Sequence, residues 1–96
     1  MIIYDRRTGE ELLEIPGNSL AGRDLRPFNP HLRYADLSNQ DLSSCICQDM
    51  DLEGIQCSNS LMSEIIMSGS NLEEGIFTRI TAPKARFNGT RLLMTA

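Results

Sequence analysis

Three cysteines within thirteen residues, Cys45, Cys47 and Cys57, and the single histidine, His31, are the side chains best suited to bind a metal or attack a substrate. A Cys3His zinc site is the chemistry they would offer. Their spacing points elsewhere. Cys45 and Cys47 stand two residues apart, which places both on the same side of an extended strand, and the odd total fits neither a secreted disulfide framework nor paired CxxC zinc ligands. Buried structural thiols are expected, with no metal and no cofactor. His31 sits in a Pro-flanked stretch with no serine or cysteine placed beside it as a nucleophile, so it reads as a turn residue. Asp49, Asp51 and Glu53 lack the twelve-residue pattern of a calcium-binding hand, and Gly69 with Gly75 makes no phosphate-cradling loop. The expectation is a protein that is not an enzyme.

What positions these side chains follows from composition and period. The 96 residues suffice for one small core, 41% of them are apolar, and there is no Trp. Every fifth residue from Leu37 reads Leu37, Leu42, Cys47, Leu52, Cys57, Met62, Met67, Leu72, Phe77, Ala82, Phe87 and Leu92, all apolar. At this composition such a run arises by chance on the order of once in 40,000. The column two residues earlier, Ala35 to Thr90, carries no charge.

Five residues turn 500° on an α-helix, so the column cannot line one helical face. On an unbroken strand an odd period alternates sides, which fails as well. A chain that runs extended for two or three residues and bends every fifth satisfies both columns at once, with the other three columns pointing outward. The column holding Asn39, Ser44, Asp49, Gly54, Asn59, Gly69 and Gly89 supplies turn-forming residues at the bends.

With that spacing the chain resembles the pentapeptide repeat proteins, whose repeat is Ala, then Asp or Asn, then Leu, then two variable residues. Ala35-Asp36-Leu37-Ser38-Asn39 is the best match, and Gln40-Asp41-Leu42, Met50-Asp51-Leu52 and Ser70-Asn71-Leu72 are partial ones. The register covers residues 33–94. The resemblance implies an all-β fold, a right-handed quadrilateral β-helix of about three coils with four pentapeptides in each. The Asp/Asn column is interrupted by Ile46, Gln56, Leu61, Ile66, Ile76, Thr81, Arg86 and Arg91. Pro83 is expected to remove one ladder donor, and Gln40 and Met50 to bulge a column of small side chains.

Residues 1–18 read as a β-hairpin cap, Ile2-Ile3-Tyr4 against Leu12-Leu13-Glu14-Ile15, and residues 19–96 as the coil, with an irregular loop near 26–31. No targeting segment is evident and no run is long enough to span a bilayer, so a cytoplasmic location is expected. No capping segment follows Leu92, Leu93 and Met94, which predicts a homodimer joined through the C-terminal coil.

Function is expected on the outer faces, as a protein-interaction or scaffolding module with a protein partner. From Tyr34 to Thr78 there are eight acidic residues and no basic one, whereas Arg79 to Ala96 holds four basic residues and no acidic one. Twenty residues per coil set Asp51 and Glu53 one rung from Glu73 and Glu74, an acidic face for a partner. Ile46, Leu61, Ile66 and Ile76 point outward as an apolar one, either for a partner or covered by the chain itself. The resemblance also implies an alternative, because some acidic members of the family mimic duplex DNA and bind topoisomerases such as gyrase. With a net charge of -4, direct nucleic-acid binding is not expected.

Overall fold

The computed structural model describes residues 1–92 and 96. Two strands, β1 (Ile2–Tyr4) and β2 (Glu11–Glu14), pair antiparallel with Ile2 opposite Glu14 and Ile3 opposite Leu13. The rest of the described chain is all-β in a different sense: single-residue parallel bridges recur at a spacing of twenty. They form four ladders, Asp36–Gln56–Ile76, Asp41–Leu61–Thr81, Ile46–Ile66–Arg86 and Asp51–Asn71–Arg91. Each rung is stitched on both sides, as where the Leu37 N–H donates to the Gln56 carbonyl at 2.7 Å and the Gln56 N–H to the Ala35 carbonyl at 2.9 Å.

Bends occur at every fifth residue because one residue in five takes a left-handed backbone. From Tyr34 to Gly89 every fifth residue has positive φ, including Asn39 at 60°, Asp49 at 55° and Gly54 at 71°. Asp and Asn directly after the inward small residue brace the bend. Asp36 Oδ1 accepts the Ser38 N–H at 3.1 Å, Asp41 Oδ1 that of Ser43 at 3.0 Å, and Asn71 Oδ1 that of Glu73 at 3.0 Å. Gln56 does the same for Ser58 with its longer side chain, at 3.0 Å. Pro83 occupies the position of these side-chain-bonded N–H groups, so it withdraws no ladder bond, and its carbonyl still accepts the Glu64 N–H at 2.9 Å. The expected lost donor is therefore corrected.

Both uncharged columns point inward. Leu37, Leu42, Cys47, Leu52, Cys57, Met62, Met67 and Leu72 are buried, as are Ala35, Cys45, Met50, Ile55 and Ile65. Two buried serines resolve the crowding expected from Gln40 and Met50. Ser60 Oγ donates to the Leu37 carbonyl at 2.8 Å and accepts the Gln40 N–H at 3.3 Å. Ser70 Oγ likewise donates to the Cys47 carbonyl and accepts the Met50 N–H at 2.9 Å. Each hydroxyl is inserted where other rungs close the bend directly, as Ile55 N–H does on the Leu52 carbonyl at 3.1 Å. Ser70→Ala strands two buried backbone groups and is expected to cost about 2 kcal/mol in urea denaturation. A loss below a few tenths would mean that the bend re-closes without the hydroxyl.

The stretch before the first regular coil is irregular. A 3-10 turn, Arg26–Phe28, precedes the cis Asn29–Pro30 bond, and Asp24 bridges Ile46 at a spacing of twenty-two, two more than elsewhere. Asn29 Oδ1 accepts the Asp51 N–H at 2.9 Å, a side chain standing in for the missing ladder carbonyl. The hairpin joins the first coil edge-on. Asp5 bridges Ala35 antiparallel, the Arg6 N–H donates to the Tyr34 carbonyl, and the Asp36 N–H to the Tyr4 carbonyl, each at 2.8 Å. Ile3, Ile15, Leu20, Leu25 and Leu32 are buried in the same core.

Candidate interaction faces

The carboxylates expected on one face do gather there, but with cations of the same chain. Arg33 Nε lies 3.4 Å from Asp51 Oδ2, and the Arg33 guanidinium also pairs with Glu53. Arg91 pairs with Glu73 at 2.9 Å. Asn71 donates to Asp51 at 3.3 Å from the next rung. Glu74 accepts the Tyr34 hydroxyl at 2.7 Å, a bond that raises the Tyr34 phenol above its ordinary pKa.

Coil arithmetic explains the pairing. Residues 33, 53 and 73 share one column, 51, 71 and 91 another, and 34, 54 and 74 a third. Arg33 and Arg91 are legible from the sequence by the same twenty-residue count that places the acids, once it is applied to the bases. Tyr34 lies along its column across Gly54, while the Arg7 guanidinium covers its ring at 3.6 Å and Arg6 Nε donates to the Gly54 carbonyl. Arg7 is itself held by Asp5 at 3.0 Å, so hairpin, first bend and acidic column are tied together.

Ile46 and Ile66 bridge one another on the third ladder and are half-buried. With Ser44, Glu64, Lys84 and Arg86 they line an open groove of about 470 Å³, to which the N-terminal segment contributes no residue. Leu61 lies on the second ladder, 50% exposed, and Ile76 on the first, half-buried, so the four apolar residues occupy three faces. Of the residues expected at an oligomer contact, Leu92 is 52% exposed, and Leu93 and Met94 lie outside the described residues.

The cysteines are free and buried, and burial pushes all three thiols up, most strongly Cys47 and Cys57. Cys45 Sγ donates to the Leu20 carbonyl at 2.9 Å, and His31 is exposed on the loop. Among the described residues no three His, Cys, Asp or Glu side chains converge as metal ligands, and no helix is long and apolar enough to cross a membrane.

Several carboxylates are held below their ordinary range: Asp24 at about 2 by the Arg26 guanidinium, Asp5 by Arg7, and Asp41 by the Ser43 backbone N–H. Depressed folded-state values contribute stability above the unfolded value of 3.8, lost as pH falls through the folded ones. The melting temperature is therefore expected to hold from pH 7 to about 5 and to fall between about 4 and 2. A scan by far-ultraviolet circular dichroism that rises across that window would contradict these pairings.

Compared with family models, residues 29–55 match the model of pentapeptide repeats (8 copies). The ladders carry the same five-residue spacing beyond the matched stretch to Arg91. No curated protein and no solved structure matches the chain.

Proposed function

We propose that this chain, which carries pentapeptide repeats, is a non-enzymatic protein-interaction module working through the outer faces of a right-handed quadrilateral β-helix in the cytoplasm. The observation that carries the reading is a division of labour within each five residues. From Ala35 to Leu92 the two inward columns hold no charge, while every charged side chain and Ile46, Leu61, Ile66 and Ile76 stand on outward positions. The core is thus made by residues that a partner would not touch, and outward residues that do not brace a bend can vary without disturbing it. Affinity capture with the full chain tests this: a stoichiometric protein released by excess untagged chain is expected. Capture of nothing above background by either terminal tag would remove the reading.

The module is proposed to be a homodimer through its third coil. Phe77 and Phe87 are only half-buried there, Leu92 is exposed, and among the described residues the Ala82 and Phe87 N–H groups and the Ile80 and Ala85 carbonyls take no ladder bond. Sedimentation of a dimer at micromolar concentration, lost in Leu92→Asp, is the expected result, and monomer alone would exclude it.

The narrower reading, an acidic DNA-like surface for a topoisomerase, draws on the stacking of Asp51 and Glu53 beside Glu73 and Glu74. Against it stands the pairing of three of these with Arg33 and Arg91. Unchanged gyrase supercoiling at high micromolar protein would dispose of it.

A further inference from the structure

The third ladder changes character along its length, from Asp24 through Ile46 and Ile66 to Arg86, and the neighbouring bend column runs Ser44, Glu64, Lys84. We propose that the groove these residues line is a docking site for an extended acidic peptide, with an aliphatic side chain seated over Ile46 and Ile66 and carboxylates on Lys84 and Arg86. This rests on the interaction-module reading and names the partner's chemistry.

Charge complementarity selects the occupant. Arg7 is spent on Asp5, Arg26 on Asp24, Arg33 on Asp51 and Glu53, and Arg91 on Glu73. Lys84 and Arg86 are the two cations that line the groove. They are exposed, and among the described residues neither forms an ion pair, although the chain carries thirteen acidic residues and only nine basic ones. Glu64, the one carboxylate of the groove, sits a rung away from Lys84 without closing a bridge, so the groove keeps a net positive end beside an apolar floor.

The dimensions suit a peptide. Rungs stand about 4.8 Å apart, so two rungs separate Ile46 from Arg86 by roughly the reach of three extended residues. A ligand with an aliphatic residue followed within three by Asp or Glu covers both ends. Nucleic acid and membranes fit less well, because a floor two isoleucines long with two cations at one end offers neither a run of cations nor a broad apolar patch.

Selection of a phage-displayed random twelve-residue peptide library on the full chain tests the site. Enrichment of peptides pairing an aliphatic residue with Asp or Glu is expected. Binding of the synthetic peptide should weaken at least tenfold in Lys84→Glu/Arg86→Glu and fall with added salt, while the melting temperature of this exposed double variant stays unchanged. Ile66→Ala, which keeps the backbone ladder, should weaken binding several-fold. Peptides that bind wild type and double variant equally would overturn the groove while leaving the module reading standing. A library with no enrichment would overturn the groove too, and the affinity capture then decides the module reading separately. A sedimentation change of the chain alone in the double variant would assign the groove to a second copy and overturn the peptide.

Discussion

Leu52→Ala is expected to remove about 3 kcal/mol of stability, and Leu92→Ala, five-fold periodic with it in the sequence, less than about 1 kcal/mol. Leu52 is fully buried between the coils above and below it, whereas Leu92 is 52% exposed on the third coil. Deleting the outer side-chain carbons from a residue packed on both sides along the stack leaves a cavity that the hydrogen-bonded ladders cannot collapse to fill. At the third coil the same deletion exposes little that was not already wet. For a domain of this size the first loss lowers the melting temperature by roughly 10–20 °C. Urea denaturation followed by far-ultraviolet circular dichroism measures both variants. Equal losses would mean that the coil of Leu92 is covered as completely as that of Leu52, as a strong dimer in dilute solution would make it.

The second large effect is expected at Gly54, where Gly54→Ala should cost about 2–3 kcal/mol. Its φ of 71° already disfavours a side chain, and a Cβ there would stand 2.1 Å from the Tyr34 ring. The ring must swing out, giving up the hydrogen bond to Glu74 and the stack under Arg7. Gly9 separates the two contributions. Its φ is 76° and a Cβ at that position would meet nothing within 4 Å, so Gly9→Ala should cost only about 1 kcal/mol, the backbone part alone. In a Tyr34→Ala background Gly54→Ala should likewise fall to about 1 kcal/mol, because the clash partner is gone. An unreduced cost in that background would locate the strain in the backbone and not in the ring.

Both predictions depend on reading the chain as columns, and columns are where sequence and structure meet. The five-residue spacing of Leu37 through Leu72 needs no neighbour to be seen. It is a property of composition along the chain, and it excludes helix and flat strand by angle alone. The bends are legible for the same reason, since Asn39, Asp49, Gly54 and Asn59 are residue types that tolerate positive φ or brace a turn locally. The irregular loop announces itself through Pro27 and Pro30. Pro83 misleads at the level of sequence, because which N–H groups enter a ladder depends on where each bend closes. That is decided by side chains such as Asp36 and Asn71, which accept the N–H two residues on.

By itself, then, the sequence determined the inward columns, the positions of the bends and the hairpin, because each is set by residue type at short range. Tertiary structure alone decided the rest: that Ser60 and Ser70 hydroxyls are built into the bends of the preceding coil, and that Arg33 and Arg91, set beside the acids by the twenty-residue count, close ion pairs while Lys84 and Arg86 are left without a carboxylate. These outcomes join residues some twenty positions apart or more across the coil, where a few ångströms in side-chain reach separate a closed ion pair from an open one. No pattern along the chain encodes that distance.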